Sequence, residues 1–596
     1  MPELPEVQAI VDFLDGRLGG LAVTGVELGS IAVLKTFAPP PDALVGLVVD
    51  EVRRHGKFVD IDCGGLHLIF HLARAGWLRW SQTAPKARLR PGRSPIALRV
   101  RFSDDSGFDL TEAGTKKGLA AYLVGALDHR PRVVVGCDAR HGSDAFYDAT
   151  LAVLAGAGAQ VVALPRQLPT PLTAYAVRAL DADAGVMVTA SHNPPADNGY
   201  KVYLGRALGG DDGFGVQIVP PADALIAAQI AAAPAADEVP LSAQGIEAAP
   251  ADLLTRYVDR TAGLRGRTDT SGVRIVLTPM HGVGGVTALQ VLAAAGFGDV
   301  HVVQAQERPD PDFSTVPFPN PEEPGAIDLA LALARDVDAD VVMALDPDAD
   351  RCSVAIPERD GSWRQLSGDE VGALLGEQAA TDPTRPGDTL ACSLVSSRLL
   401  GRIAEHHGLR GATTLTGFKW IARAPGIRFG YEEAIGYCTD PEAVKDKDGI
   451  SAMLRVATLV DELARAGRTV PDALDDLART HGLYATAPLS FRVEELSLIA
   501  DAMARLRAAD VAELAGSPVV EVTDLAHGSP QLPATDAIVL RTQADDRVIV
   551  RPSGTEPKLK CYLEVVVPVE GEHIPRDVAR ERLRRLGADI RAVLGL

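Results

Sequence analysis

A serine, three alternating aspartates, a glutamate pair and an Arg-x-Ser-Gly-Thr turn are where this 596-residue chain could do chemistry. Val186, Met187 and Val188 read as the end of a buried strand, and Thr189-Ala190-Ser191-His192-Asn193-Pro194 follows at once. A serine at a strand's carboxyl end sits where open α/β sheets place their ligands. Ser191 therefore reads as a side chain built to carry a phosphoryl group, with His192 and Asn193 placed to orient what lies beside it. In ALDPDADRCSVAI, Asp346, Asp348 and Asp350 alternate between apolar runs. Three carboxylates on one tight loop repel each other without a cation and supply the hard oxygen ligands that Mg²⁺ prefers. Glu432 and Glu433, between Gly430 and Gly436, suit capture of sugar hydroxyls, or else an ordinary helix start. Arg551, Ser553, Gly554 and Thr555, followed by Lys558 and Lys560, gather guanidinium, hydroxyl, amide and ammonium donors in one turn. That is the chemistry of a phosphate cradle.

A second kind of chemistry opens the chain. In MPELPEVQAI, Met1 before Pro2 is normally removed, leaving a secondary amine. Its pKa is low enough for it to act as a nucleophile and form an iminium with a sugar aldehyde. Glu3 beside it can shuttle a proton.

The elements that must hold these groups follow from the apolar pattern. Residues 1 to about 115 alternate short β-type runs with polar turns after a first helix, as in a β-sandwich. From Arg132, apolar β runs alternate with Ala-rich helices, the signature of a doubly wound sheet. The alternation recurs from RIVLTPMHG through DVVMALDPD, and again from about Gly368 to Gly467. Residues 231–250, rich in Ala and Pro, read as a connector. After His481 the pattern becomes strand, helix, strand, then a basic helix, predicting a smaller α+β domain. The expected fold is multidomain: an N-terminal β-sandwich, three α/β domains with doubly wound, mixed sheets, and a C-terminal α+β domain. The expected boundaries are 1–117, 118–247, 248–360, 361–480 and 481–596.

Taken in order, the serine, aspartate, glutamate and Arg-x-Ser-Gly-Thr motifs resemble those of the α-D-phosphohexomutase family, the phosphoglucomutases and phosphomannomutases. DPDADR in place of the usual DGDADR, with GYEEAIG, KDKDGISA and TGFKWI, is similar to the phosphoglucomutase/phosphopentomutase branch. The resemblance implies four domains around one cleft and transfer between sugar 1-phosphate and 6-phosphate (or 5-phosphate) through a phosphoserine and a bisphosphate intermediate. It makes Ser191 the phosphoryl carrier, and Mg²⁺ ligands of Ser191, Asp346, Asp348 and Asp350. Arg140 and Lys201 become candidates for charge stabilisation or proton handling. His192, Asn193, Lys419, Glu432, Glu433, Arg551, Ser553, Gly554, Thr555 and Lys560 become substrate-binding candidates. A sugar bisphosphate is the implied activator.

MPELPE, Lys57 after a glycine in RRHGK, LHLIFHLARAGWLRW and GFDLTEAGTKK resemble the formamidopyrimidine-DNA glycosylase/endonuclease VIII family. The match makes Pro2 the nucleophile, Glu3 the acid and Lys57 the β-hairpin lysine. That family also needs a helix–two-turn–helix segment and a zinc finger. The six cysteines contain no CxxC pair, so no zinc site is expected. The mutase half lacks its family's first strand and GTAGLRG-type loop, and GLAAYL at 118–123 reads as the surviving end of its first helix. TAGLRG at 261–266 reads as coincidence.

The net charge of −20 argues against general nucleic-acid binding by the whole molecule. The first 124 residues carry 15 basic and 14 acidic side chains, so the acidity belongs to the remainder and DNA binding through the first domain should be weak. No apolar run is long enough to span a membrane and no signal peptide is seen, so a cytoplasmic location is expected. Three readings stand: a sugar-phosphate mutase with an inert N-terminal remnant; a DNA glycosylase/AP lyase acting on oxidised bases through Pro2; and a fused product with neither activity.

Overall fold

The computed structural model describes the chain apart from residues 1–3, 30–32, 35–39, 56, 64–65, 74–75, 88, 90–94, 113–119, 126–128, 221, 384, 494–495, 531, 554–557 and 596. It divides into two compact units. One holds residues 1–131 with 218–240, the other 132–217 with 241–596.

The N-terminal unit has a first helix, Leu4–Leu18, and two four-stranded antiparallel sheets. One sheet is ordered Val23–Leu28, Ile96–Phe102, Gly107–Glu112, Gly76–Ser81, and the other Glu51–His55, Phe58–Cys63, Leu66–His71, Ala120–Gly125. Val59, Ile61, Leu68 and Phe70 point to one face at alternate positions and share a core with Val11, Leu14, Phe102, Phe108 and Leu110. The last strand corrects an expectation. Residues 120–125 are not a helix remnant but pair antiparallel with Leu66–His71, His71 opposite Ala120 and Leu66 opposite Gly125. The run is short and apolar, so its period alone does not separate strand from helix, and an open sheet edge decides the matter.

The second unit holds three α/β sheets in succession. The first is ordered Tyr200–Leu204, Ala184–Val188, Arg132–Cys137, Gln160–Ala163, Ile246–Ala248, parallel except for Tyr200–Leu204. Part of the Ala/Pro-rich connector thus forms its edge strand. The second is ordered Phe297–Val302, Ser271–Thr278, Val341–Leu345, Cys352–Pro357, Trp363–Gln365, with the last two antiparallel. The third is ordered Arg410–Thr414, Thr389–Ser393, Ile427–Glu432, Gly436–Cys438. Val341–Leu345 and Thr389–Ser393 are buried at every position, as strands covered on both faces must be. A six-stranded antiparallel sheet carrying the helices Leu496–Ala508 and Arg576–Leu594 ends the chain. No helix among the described residues is long and apolar enough to cross a membrane.

Candidate active site

Three loops meet at the carboxyl ends of their strands. Ser191 follows the strand Ala184–Val188, Asp346 follows Val341–Leu345, and Glu432 ends Ile427–Glu432. The serine loop is bent hard enough to put Ser191 at φ 52°, a left-handed conformation a non-glycine residue adopts only when its surroundings enforce it. The enforcing group is Arg140. Its guanidinium donates to four carbonyls of that loop: Ser191 (2.6 Å), Asn193 (2.7 Å), Pro194 (2.8 Å) and Asp197 (3.3 Å). Asp138 sits behind it, accepting from Ser143 Oγ at 2.5 Å and from the Arg140 N–H at 3.0 Å. Arg140 is thereby engaged in shaping the loop.

Ser191 Oγ donates to Asp346 Oδ2 at 2.9 Å, joining the first α/β domain to the aspartate loop of the second. Asp346, Asp348 and Asp350 are each fully buried, and ligand oxygens from the three lie within 4.8 Å of one another. Lys201 Nζ donates to Asp348 Oδ2 at 2.6 Å and to Asp350 Oδ2. Lys447 Nζ lies 3.2 Å from Asp350 Oδ2. Two oxygens of this cluster, Asp348 Oδ1 and Asp350 Oδ1, are buried with no hydrogen-bond partner among the described residues. Three clustered buried carboxylates with oxygens that accept no hydrogen bond fit a hard divalent cation.

The charges set the local titration. Burial raises the Asp346 carboxyl well above its ordinary range, and the neighbouring Asp348 and Asp350 add to the effect. Burial acts the same way on Asp350, but Lys201, Lys447 and Arg351 outweigh it and hold that group low. Lys201 is the converse: burial disfavours its charge, and Asp348 and Asp350 more than restore it. The His192 ring, its Nδ1 3.4 Å from Ser191 Oγ, is driven well down by burial and then by Arg351, so it is neutral at pH 7.

The two glutamates divide. Glu432 Oε1 is 3.9 Å from Arg351 Nη2, whereas Glu433 Oε2 accepts from Ser393 Oγ (3.1 Å) and Ser396 Oγ (3.2 Å). Burial, with Glu432 and Asp369, pushes the Glu433 carboxyl up to about 7. In the C-terminal domain Arg551 faces Lys560 on the adjacent strand, and the Ser553 N–H donates to the Lys558 carbonyl at 2.8 Å. Burial and Glu433 raise the Tyr562 hydroxyl while Arg551 hydrogen-bonds to it, linking this turn to the glutamate loop. The domain is latched to the third by Arg398, which reaches Glu564 (2.5 Å) and Asp545 (2.6 Å). Lys419 is half-buried on the short helix Phe418–Ile421, and Asn193 is exposed on the serine loop.

Pro2, Glu3, Gly554 and Thr555 lie outside the described residues. Lys57 stands at the turn between Glu51–His55 and Phe58–Cys63 of the N-terminal unit, lining a hollow with Ile10, Val59, Phe70 and His71. Two site residues were missed by motif reading. Lys447 lies within KDKDGISA and reaches Asp350, and Thr170 donates to Asp348. Only the first carried a local signal, its place between two aspartates.

The chain matches two known families. Residues 1–117 match the formamidopyrimidine-DNA glycosylase N-terminal domain. Phosphoglucomutase/phosphomannomutase α/β/α domains I, II and III match residues 109–235, 255–361 and 367–481, and the C-terminal domain of that family matches 491–581. A Haemophilus influenzae protein named "Probable phosphomannomutase" is 45% identical over 449 residues, 75% of this chain and 90% of that protein. The Mus musculus phosphopentomutase is 32% identical over 585 residues, covering 86% of this chain and 93% of its own. The X-ray structure of a phosphoglucomutase/phosphomannomutase family protein from Burkholderia thailandensis has the same fold over 78% of this chain and 89% of its own, with a TM-score of 0.58 at 20% identity.

Proposed function

Because this chain belongs to the phosphoglucomutase/phosphomannomutase family of isomerases, with a formamidopyrimidine-DNA glycosylase N-terminal domain ahead of it, we propose that it moves a phosphoryl group between the 1-position and the 6- or 5-position of a sugar phosphate by way of Ser191. The hydrogen bond from Ser191 Oγ to Asp346 Oδ2 carries this reading, since it puts a serine on a strained strand-end loop against the acidic cluster.

Phosphoserine 191 gives its phosphoryl group to a sugar monophosphate: the sugar oxygen bonds to phosphorus, the serine P–O bond breaks, and the hydroxyl proton leaves to a base. The bisphosphate turns over in the cleft and returns its other phosphoryl group to Ser191, so the same compound serves as activator. Asp346, Asp348 and Asp350, with Ser191, would hold Mg²⁺, which when bound neutralises charge on the transferring group. Arg140 holds the serine loop in its reactive bend. Lys201, kept protonated by its two carboxylates, supplies fixed positive charge beside the transfer path. Glu432 and Glu433 take sugar hydroxyls, while Arg551, Ser553, Gly554, Thr555 and Lys560 cradle the phosphate that is not being transferred. Lys419, His192 and Asn193 complete the substrate contacts.

The test is isomerisation of glucose 1-phosphate, mannose 1-phosphate and ribose 1-phosphate, with and without the matching bisphosphate and Mg²⁺. Bisphosphate-stimulated turnover of at least one substrate is expected. Absence of turnover with all three, in protein that is folded and metal-loaded, contradicts the reading. For the N-terminal unit we propose a vestigial role: it carries Lys57 of a lyase half-site, and weak contact with DNA is its remaining capacity.

A further inference from the structure

Three consecutive carbonyls of the aspartate loop each accept a backbone N–H from a different segment. Pro347 takes that of Val283 (2.9 Å), Asp348 that of Thr170 (2.9 Å) and Ala349 that of Gly449 (3.2 Å). Of these donors, Thr170 also reaches a carboxylate, its Oγ1 donating to Asp348 Oδ2. Thr170 is completely buried and opens the helix Thr170–Ala179 of the first α/β domain. Its N–H is one of the donors a helix leaves unsatisfied at its start, and Pro169 before it brings no side-chain acceptor. The Asp348 carbonyl fills that gap, so the helix end and the loop satisfy each other.

The consequence lies at the carboxylate. Asp348 Oδ2 holds two donors, Thr170 Oγ1 and Lys201 Nζ, while Oδ1 is buried with none. A carboxylate torsion is broad and two-fold, so nothing in Asp348 itself selects which oxygen faces the cluster. We propose that Thr170 is a positioning residue for the metal site, its hydroxyl reaching across from another domain to fix Asp348 with Oδ1 turned to the cation. The proposal rests on the Mg²⁺ assignment made above. Groups that orient a metal ligand typically change metal affinity by about 10- to 100-fold when removed.

Direct binding of Mn²⁺ to the full chain, followed by electron paramagnetic resonance, reads this without turnover. Thr170→Val keeps the shape of the side chain and removes the donor. It should weaken Mn²⁺ binding by roughly tenfold or more. In the mutase assay it should raise the Mg²⁺ requirement and leave KM for the sugar phosphate within about twofold, since loss of an orienting group is not loss of substrate binding. Thr170→Ser retains the donor and should restore Mn²⁺ binding. Should Thr170→Val fail to fold, Thr170→Cys, a weaker donor in the same place, is measured instead and should fall between wild type and a protein without the bond. Mn²⁺ affinity in Thr170→Val equal to wild type, or a deficit in Thr170→Ser as large as in Thr170→Val, overturns the role of Thr170. A wild-type protein that binds no Mn²⁺ overturns the metal assignment itself and this role with it.

Discussion

Asp348 takes a hydroxyl from Thr170 and an ammonium from Lys201, both of another domain, whereas Lys57 of the N-terminal unit lines a hollow with Ile10, Val59, Phe70 and His71 of its own unit. The mutase body thus carries its candidate site across domain boundaries within one compact unit: serine loop to aspartate loop, aspartate loop to glutamate loop, glutamate loop to the C-terminal turn. In the N-terminal unit the hollow beside Lys57 is lined by that unit's own residues. A site assembled from several domains can be read from this chain because the partners are in it.

The largest expected effect falls on the serine. Ser191→Ala should lower turnover by at least about a thousandfold, because water is neither positioned nor activated to stand in for a reversible phosphoryl acceptor. Full activity in that variant breaks the contrast at its strong end. Next is the metal loop: Asp348→Asn should cost about a hundredfold or more, the scale on which a transition-state charge loses its counter-ion. Activity that survives excess chelator rejects the metal role.

A smaller effect sharpens the account of the glutamate loop. The Glu433 carboxyl is raised from 4.5 to about 7, so its contribution to stability is complete below pH 4.5 and is lost as pH rises through 7. Glu433→Gln should therefore melt at a temperature less dependent on pH across that window than wild type. Equal pH dependence in the two proteins places the carboxylate in a more solvated setting than the one described.

The smallest effect is expected of the N-terminal unit. Duplex DNA containing 8-oxoguanine should show almost no strand cleavage, and borohydride should at most trap an adduct between the amine of Pro2 and an abasic-site oligonucleotide. Flipping a base out costs a few kcal/mol and needs protein to hold it, and the chain's net negative charge offers little nonspecific affinity in exchange. Efficient cleavage abolished by Pro2→Gly would make the N-terminal unit an enzyme after all and dissolve the comparison.

Much of the candidate site was legible because motif and element coincide. A serine or aspartate directly after a run of buried β-type residues is already at the carboxyl end of a strand, so Ser191 and Asp346 could be placed from local pattern. Thr170 could not: it meets Asp348 only because a helix start in one domain abuts a loop in another, 178 positions away. Arg140 was picked out as chemistry-bearing by its type, while its partners, four carbonyls on one bent loop, become visible only in three dimensions. The strand at 120–125 shows the same limit at the level of fold, since a neighbouring edge rather than its own sequence chose its conformation.

The central claim is that the phosphoryl group passes through Ser191, and the most direct measurement follows that group on the protein. Protein purified in its phosphorylated form is mixed with unlabelled sugar monophosphate and Mg²⁺, quenched within one turnover and digested, and the peptide spanning 186–201 is weighed. The account predicts that this peptide loses the mass of one phosphoryl group as an equal amount of sugar bisphosphate appears. Bisphosphate formed while the Ser191 peptide keeps its phosphate, or phosphate located on another residue of an active enzyme, would contradict it.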